Sequence, residues 1–213
     1  MLPGPTIIRE CPKCSQYIKQ LTLESGSVVD ARFWTDGKLD APLMPDQPWL
    51  VKCPACKSLF WVDKAKQRAE LDPLAKAEKE FSGALMFEHL TETDYLKFLQ
   101  TKKISKKKEE YVRIRAWWCS NDSMRHEKPA KRSKVVFSKD QEDNISRLYE
   151  LLDEEDPNQR LMKAEIARER GMFDEAMLML EYKFPEEFDK AISIIRELCK
   201  SHSAVLAEIK FDF

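Results

Sequence analysis

Glycine is scarce in this chain, with five in 213 residues. So little glycine leaves hardly any material for a loop that cradles phosphate, and no G-x-G-x-x-G, G-K-S/T or G-x-S-x-G pattern occurs. The same scarcity favours helices over a loop-rich or all-β fold. Histidine is rarer still: His89, His126 and His202 are the full set. None stands at metal-ligand spacing from another, and neither His89 nor His126 heads the H-x-E that precedes P-C-x-x-C in nucleobase deaminases. No apolar run approaches the roughly 20 residues of a membrane span. The start, Met1-Leu2-Pro3-Gly4-Pro5, lacks the basic and apolar segments of a secretion signal, so the chain is expected in the cytosol. With no catalytic constellation in the sequence, no enzymatic activity is expected.

Charge is abundant, at 34% of residues, with 36 Lys+Arg almost balanced by 37 Asp+Glu. The balance hides a polarity. Residues 64–140 carry an excess of seven positive charges, and residues 141–213 an excess of eight negative ones. Such asymmetry arises from partner binding or from attraction between parts of one fold. The acidic run Asp153-Glu154-Glu155-Asp156 reads as a helix end, because nothing fixes its carboxylates into a cage.

Four of the six cysteines form two knuckles of one design, Cys11-Pro12-Lys13-Cys14 and Cys53-Pro54-Ala55-Cys56. A two-residue spacer lets both thiolates of a knuckle converge on one ion, and two knuckles complete a tetrahedral four-sulfur shell. Soft thiolate ligands suit Zn²⁺ first. A single iron, held by similar knuckles in rubredoxin-type sites, is the less favoured alternative. Four protein ligands leave no position for water or substrate, so the expected ion is structural. Lys13, Lys52 and Lys57 stand beside the knuckles, where they can offset the negative charge of four thiolates around Zn²⁺. Cys119 and Cys199 stand alone in helical contexts and read as small buried hydrophobes.

The expected fold class is α+β, in three stretches: a small β-rich module over 1–63, a helical region with a basic linker over 64–137, and helices over 138–213. Val28–Trp34 alternates like a strand and runs into Asp36-Gly37, a hairpin-turn pair. Trp49–Lys52 and Leu59–Val62 read as short strands flanking the second knuckle. From Asp63 onward the signal is helical, with starts expected at Asp72-Pro73, Thr91–Asp94, Ser105, the capping box Ser138–Gln141 and Asp156-Pro157. Residues 121–137 lose periodicity and read as the linker. The apolar tail Val205, Leu206, Ile209 and Phe211 fits helix or strand. Between Lys97 and Lys139, 14 basic residues face four acidic ones, interleaved with Tyr111, Trp117 and Trp118. That mixture suits phosphate contacts and base stacking. It equally suits a solvated lysine-rich helix start whose aromatics pack inward, and the helical spacing favours the second.

The knuckles resemble those of a zinc ribbon, over about residues 8–63. The 38 residues between Cys14 and Cys53 exceed the usual spacer of roughly 15–20, and an inserted arm around Asp36-Gly37 accounts for the excess. Leu161–Ala176, with Ala164, Gly171, Phe173 and Ala176 in matching positions, resembles the centre of a tetratricopeptide repeat. The layout as a whole resembles uncharacterised bacterial cytosolic proteins that join a zinc ribbon to tetratricopeptide-like helices. The resemblance implies no known reaction. The closed metal site, the helical hairpins and the lack of a catalytic constellation lead instead to the expectation of a non-enzymatic, zinc-stabilised adaptor with a protein partner. A nucleic-acid-binding module using residues 97–139 is the alternative.

Overall fold

A computed structural model describes residues 2–72, 79–101, 103–127 and 136–210. The fold is α+β: among the described residues, strands dominate the first part of the chain and six helices the remainder. The chain divides into two compact units: residues 1–31 with 40–90, and residues 32–39 with 91–213.

The first unit is built on β-hairpins. Strands β1 (Leu2–Glu10) and β2 (Tyr17–Ser25) pair antiparallel. Pro3 and Pro5 lie at the end of β1 where its register with β2 is irregular, as prolines in sheets usually do. From Thr6 to Glu10, β1 also pairs with β7 (Lys66–Leu71). A two-residue strand, β8 (Leu85–Met86), adds parallel to β2 and completes the order β7-β1-β2-β8. A second, separate hairpin joins β5 (Leu50–Lys52) to β6 (Leu59–Trp61). The core is small. One cluster joins Ile18, Val51, Phe60 and Val62 to Cys11 and Cys53, and another gathers Ile8, Phe81 and Ala84.

The strand β7 corrects the expectation of helix from Asp63. Lys66–Leu71 has good helix formers, but it pairs along one side with β1 as the sheet's edge strand, and tertiary pairing overrides propensity. The strand expected at Val28–Trp34 shortens to β3 (Arg32–Trp34). The helix start expected at Asp72-Pro73 lies against residues 73–78, outside the described residues.

The second unit holds α1 (Glu92–Thr101), α2 (Lys106–His126), α3 (Lys139–Leu151), α4 (Pro157–Glu169), α5 (Phe173–Leu180) and α6 (Asp189–Lys200). Local chemistry sets their starts. Thr91 and Asp94 exchange hydrogen bonds at the start of α1, Ser138 and Gln141 form a reciprocal capping box, and Asp156 caps α4 ahead of Pro157. Helix α2 runs six residues beyond Ser120, where periodicity was expected to fail. The extra turn is polar in sequence yet inward-facing: Asn121, Met124 and Arg125 are buried. Of the expected linker, residues 128–135 lie outside the described residues.

Two apolar clusters hold these helices. Trp117, Ile145, Leu148, Leu152 and Ile166 join α2, α3 and α4, with Ile114 and Trp118 packed against them. Ala164, Ala167, Ala176, Leu180, Ile192, Ile195 and Cys199 join α4, α5 and α6, flanked by Met172, Met177 and Met179. Three alanines at this seam let the helices approach closely. The turn from α4 to α5 is a Schellman closure: Met172 N–H reaches the Ala167 carbonyl and Gly171 N–H the Arg168 carbonyl. Gly171 sits at φ +83°, where a side chain would be strained. The C-terminal tail resolves as β9 (Glu208–Ile209), which pairs antiparallel with β3.

Residues 32–39 form a tongue within this unit. Strand β3 turns through Thr35-Asp36-Gly37 into β4 (Leu39–Asp40). Gly37 takes φ +79°, as the Asp-Gly pair implied. Trp34 is buried with Met124 and Leu206.

Candidate metal centre

Each knuckle is the turn of a β-hairpin. The first connects Glu10 to its partner Tyr17, and the second connects Lys52 to its partner Leu59. Both turns share one backbone pattern. Cys11 N–H donates to the Gln16 carbonyl at 2.9 Å, and Cys53 N–H donates to the Ser58 carbonyl at 2.9 Å. Ser15 N–H closes on the Cys11 carbonyl at 3.0 Å, and Lys57 N–H closes on that of Cys53 at 2.9 Å. Strand pairing therefore fixes each cysteine pair before any ion is considered.

The two hairpins bring all four sulfur atoms within 4.8 Å of one another. Cys11 Sγ lies 3.8 Å from Cys56 Sγ, and Cys14 Sγ lies 3.7 Å from Cys53 Sγ. A disulfide would need about 2.05 Å. Four sulfurs bound at about 2.3 Å around a tetrahedral ion stand about 3.8 Å apart along each edge. The cross-knuckle separations thus match a single ion at the centre. Because Cys11 and Cys53 are buried while Cys14 is exposed and Cys56 half-buried, the tetrad has an inner and an outer face.

Electrostatics point the same way. Burial pushes the Cys53 thiol up to about 12, because a lone buried thiolate has nothing to compensate it. The Ser58 hydroxyl and backbone N–H pull Cys56 down to about 6, with the hydroxyl 3.0 Å from its sulfur. Ser58 Oγ also reaches Cys11 Sγ at 3.7 Å. A central cation is what would stabilise the buried thiolates of this set. Among the described residues this is the one grouping of Cys, His, Asp and Glu that can hold a metal ion. Of the flanking lysines, Lys57 is held by the Glu88 carboxylate, and the Lys52 backbone bridges to that of Glu88.

Nothing in the sequence singled out Ser58, since a serine after a knuckle carries no distinctive pattern. Cys199 is buried in the α4–α6 cluster and Cys119 is half-buried on α2, neither in the tetrad. Two aromatics of the basic segment are engaged within the fold: Trp117 is buried and donates to Glu169, while Trp118 packs on the helical core and donates to the Asp36 carbonyl.

The second unit contains a buried polar layer that the sequence did not announce. Asp36 accepts from Arg125 and, at 3.0 Å, from Asn121; the same amide nitrogen donates to Glu169, also at 3.0 Å. Glu165 and Arg168 form a two-pronged pair at 2.6 and 2.7 Å with neither side chain exposed. Burial, with Glu165 and Asp36 nearby, raises Glu169 well above the usual carboxylate range.

No described helix is long and apolar enough to cross a membrane. Comparison with known proteins finds no family model, no curated protein and no solved structure that matches this chain.

Proposed function

We propose that this protein is a non-enzymatic adaptor whose first unit is folded around one structural Zn²⁺ held by Cys11, Cys14, Cys53 and Cys56. The observation that carries the reading is the closed four-sulfur tetrad at tetrahedral spacing, which leaves no position for substrate. The ion's contribution would be folding free energy for a unit with a small core. The resemblances to a zinc ribbon and to a tetratricopeptide-like hairpin belong to this proposal, as does a cytosolic setting.

An adaptor needs a surface for its partner, and the first unit has exposed apolar residues in adjoining segments. Ser27 N–H bonds the Leu43 carbonyl at 3.3 Å, bringing Val28 and Val29 near Leu43 and Met44, all four exposed. The nucleic-acid alternative has weaker support, because Trp117 and Trp118 are engaged within the fold and not available for stacking.

The test has two parts. Elemental analysis of natively purified chain should give one zinc per chain, and the Cys53→Ser variant should give much less; full occupancy in that variant overturns the metal assignment, and iron in place of zinc overturns the ion's identity. Affinity capture should recover a protein partner that is lost from a Val29→Asp, Met44→Asp variant with unchanged zinc content. If no partner is recovered, or the double variant keeps it, this adaptor surface is wrong.

A further inference from the structure

The tongue is the feature the metal reading leaves unused. It is packed within the helical unit, yet in sequence it lies between the two knuckles. The chain leaves the first unit after Ala31 and returns to it at Asp40. Inside the first unit the outgoing and returning legs are tied together by the Ser27 N–H to Leu43 carbonyl bond, with Gly26 packed against Met44.

The tongue's own anchorage is extensive. Asp36 is fully buried on Arg125 and Asn121 of α2, and Lys38 pairs with Asp122 at 2.6 Å. Thr35 exchanges two bonds with Ala207, its N–H to the Ala207 carbonyl and its Oγ1 accepting from the Ala207 N–H. Losing Asp36 would take from Arg125 its fully buried partner and leave it with Asp122 at 2.8 Å, so the docked tongue is held by a buried ion pair.

We propose that the tongue couples occupancy of the four-cysteine site to the packing of the helical unit, so that metal binding tightens the docked tongue and metal loss loosens it. This rests on the reading of the tetrad as a metal site. With the metal bound, both legs are fixed and the tongue is a short loop closed at its base. With the first unit loosened, the same eight residues belong to a long free segment between Cys14 and Cys53, and docking them costs more closure entropy. The anchoring contacts are unchanged, so the effect falls on how often the tongue opens and not on whether it docks. Opening bares Trp34 and the Arg125–Asn121 surface, which gives the helical unit a face it hides in the metal-bound state.

The experiment is hydrogen exchange with mass spectrometry on the full chain, zinc-loaded and after chelation, with metal content measured in both. Exchange over Thr35–Lys38 should accelerate on the order of tenfold on zinc removal, the scale usual for linked sites, while α5 stays unchanged. Linkage is reciprocal, so Asp36→Asn should weaken zinc binding by a similar factor. Should that variant fold poorly, Lys38→Met, which loses one half-buried pair, should shift affinity in the same direction. Unchanged tongue exchange after verified zinc removal overturns the coupling while leaving the metal site standing. A natively purified chain without bound metal overturns the site itself, and the coupling with it.

Discussion

Ser15 and Lys57 occupy one and the same backbone position in the two knuckles, each directly after the second cysteine at φ +60° and +58°. This left-handed step reverses the chain after the second cysteine, and side chains other than glycine are strained there by about 1–2 kcal/mol. Lys57 is the better probe, because its pair with Glu88 is largely solvent-exposed and worth little. Lys57→Gly is expected to stabilise the first unit by about 0.5–1 kcal/mol, and Lys57→Val to destabilise it by a similar amount or more. Chemical denaturation at constant metal concentration measures both.

Thiol reactivity should report the tetrad directly. Burial pushes Cys119 up to about 11 and also raises Cys199, so neither reacts readily near neutral pH. A colorimetric thiol reagent added to the metal-loaded chain should therefore show little reaction. A chelator, by removing the ion and loosening the first unit around Cys53, should release four further thiols. Release of two or of six would contradict a four-cysteine site.

Cys53→Ser should lower zinc content and loosen the first unit while α4 to α6 keep their helical signal. Those helices draw on a separate core of alanines and isoleucines that contains none of the four cysteines. Far-ultraviolet circular dichroism with elemental analysis separates the two effects. A collapse of helicity in parallel with zinc loss would show that the helices depend on the ion.

The buried carboxylates should behave in opposite ways. Glu165→Gln leaves Arg168 as an unpaired buried cation and is expected to cost about 3–5 kcal/mol. Glu169→Gln removes a carboxyl that burial already disfavours in its charged form, and is expected to change stability by about 1 kcal/mol or less. The fold binds the Glu169 proton more tightly than the unfolded chain does. Its contribution is therefore complete below the ordinary value of 4.5 and is lost as pH rises through the raised folded value. Subtracting the Glu169→Gln stability profile from that of the unmodified chain should show this decline. A flat difference would mean that Glu169 is not perturbed.

At the turn between α4 and α5, Gly171→Ala is expected to cost about 1–2 kcal/mol, because alanine is strained at φ +83° and the Schellman bonds depend on that conformation. Thermal unfolding measures the shift, and an unchanged midpoint would contradict the strain.

Most helix starts and the four cysteines were legible because their signals are local. Ser138 needs only Gln141 three residues on to complete its capping box, and Asp156 needs only the following Pro157. The strands were harder. Lys66–Leu71 has few strand features of its own and becomes a strand by pairing with Thr6–Glu10, a contact no local window contains. The last turn of α2 was missed for a related reason. Asn121 and Arg125 look like a polar surface until Asp36 pairs with both from inside.

By itself, then, the sequence determined the candidate ligands, since two Cys-Pro-x-Cys knuckles supply four soft donors that can hold one ion. It also determined the α+β class and the glycine that ends α4. Only the tertiary structure decided that the sulfurs stand at tetrahedral spacing, because that depends on two separate hairpins meeting. It alone decided that the tongue between the knuckles belongs with the helices. The physical reason is common to both: spacing along a chain fixes what a segment can bind, while burial and pairing with distant residues fix where it goes.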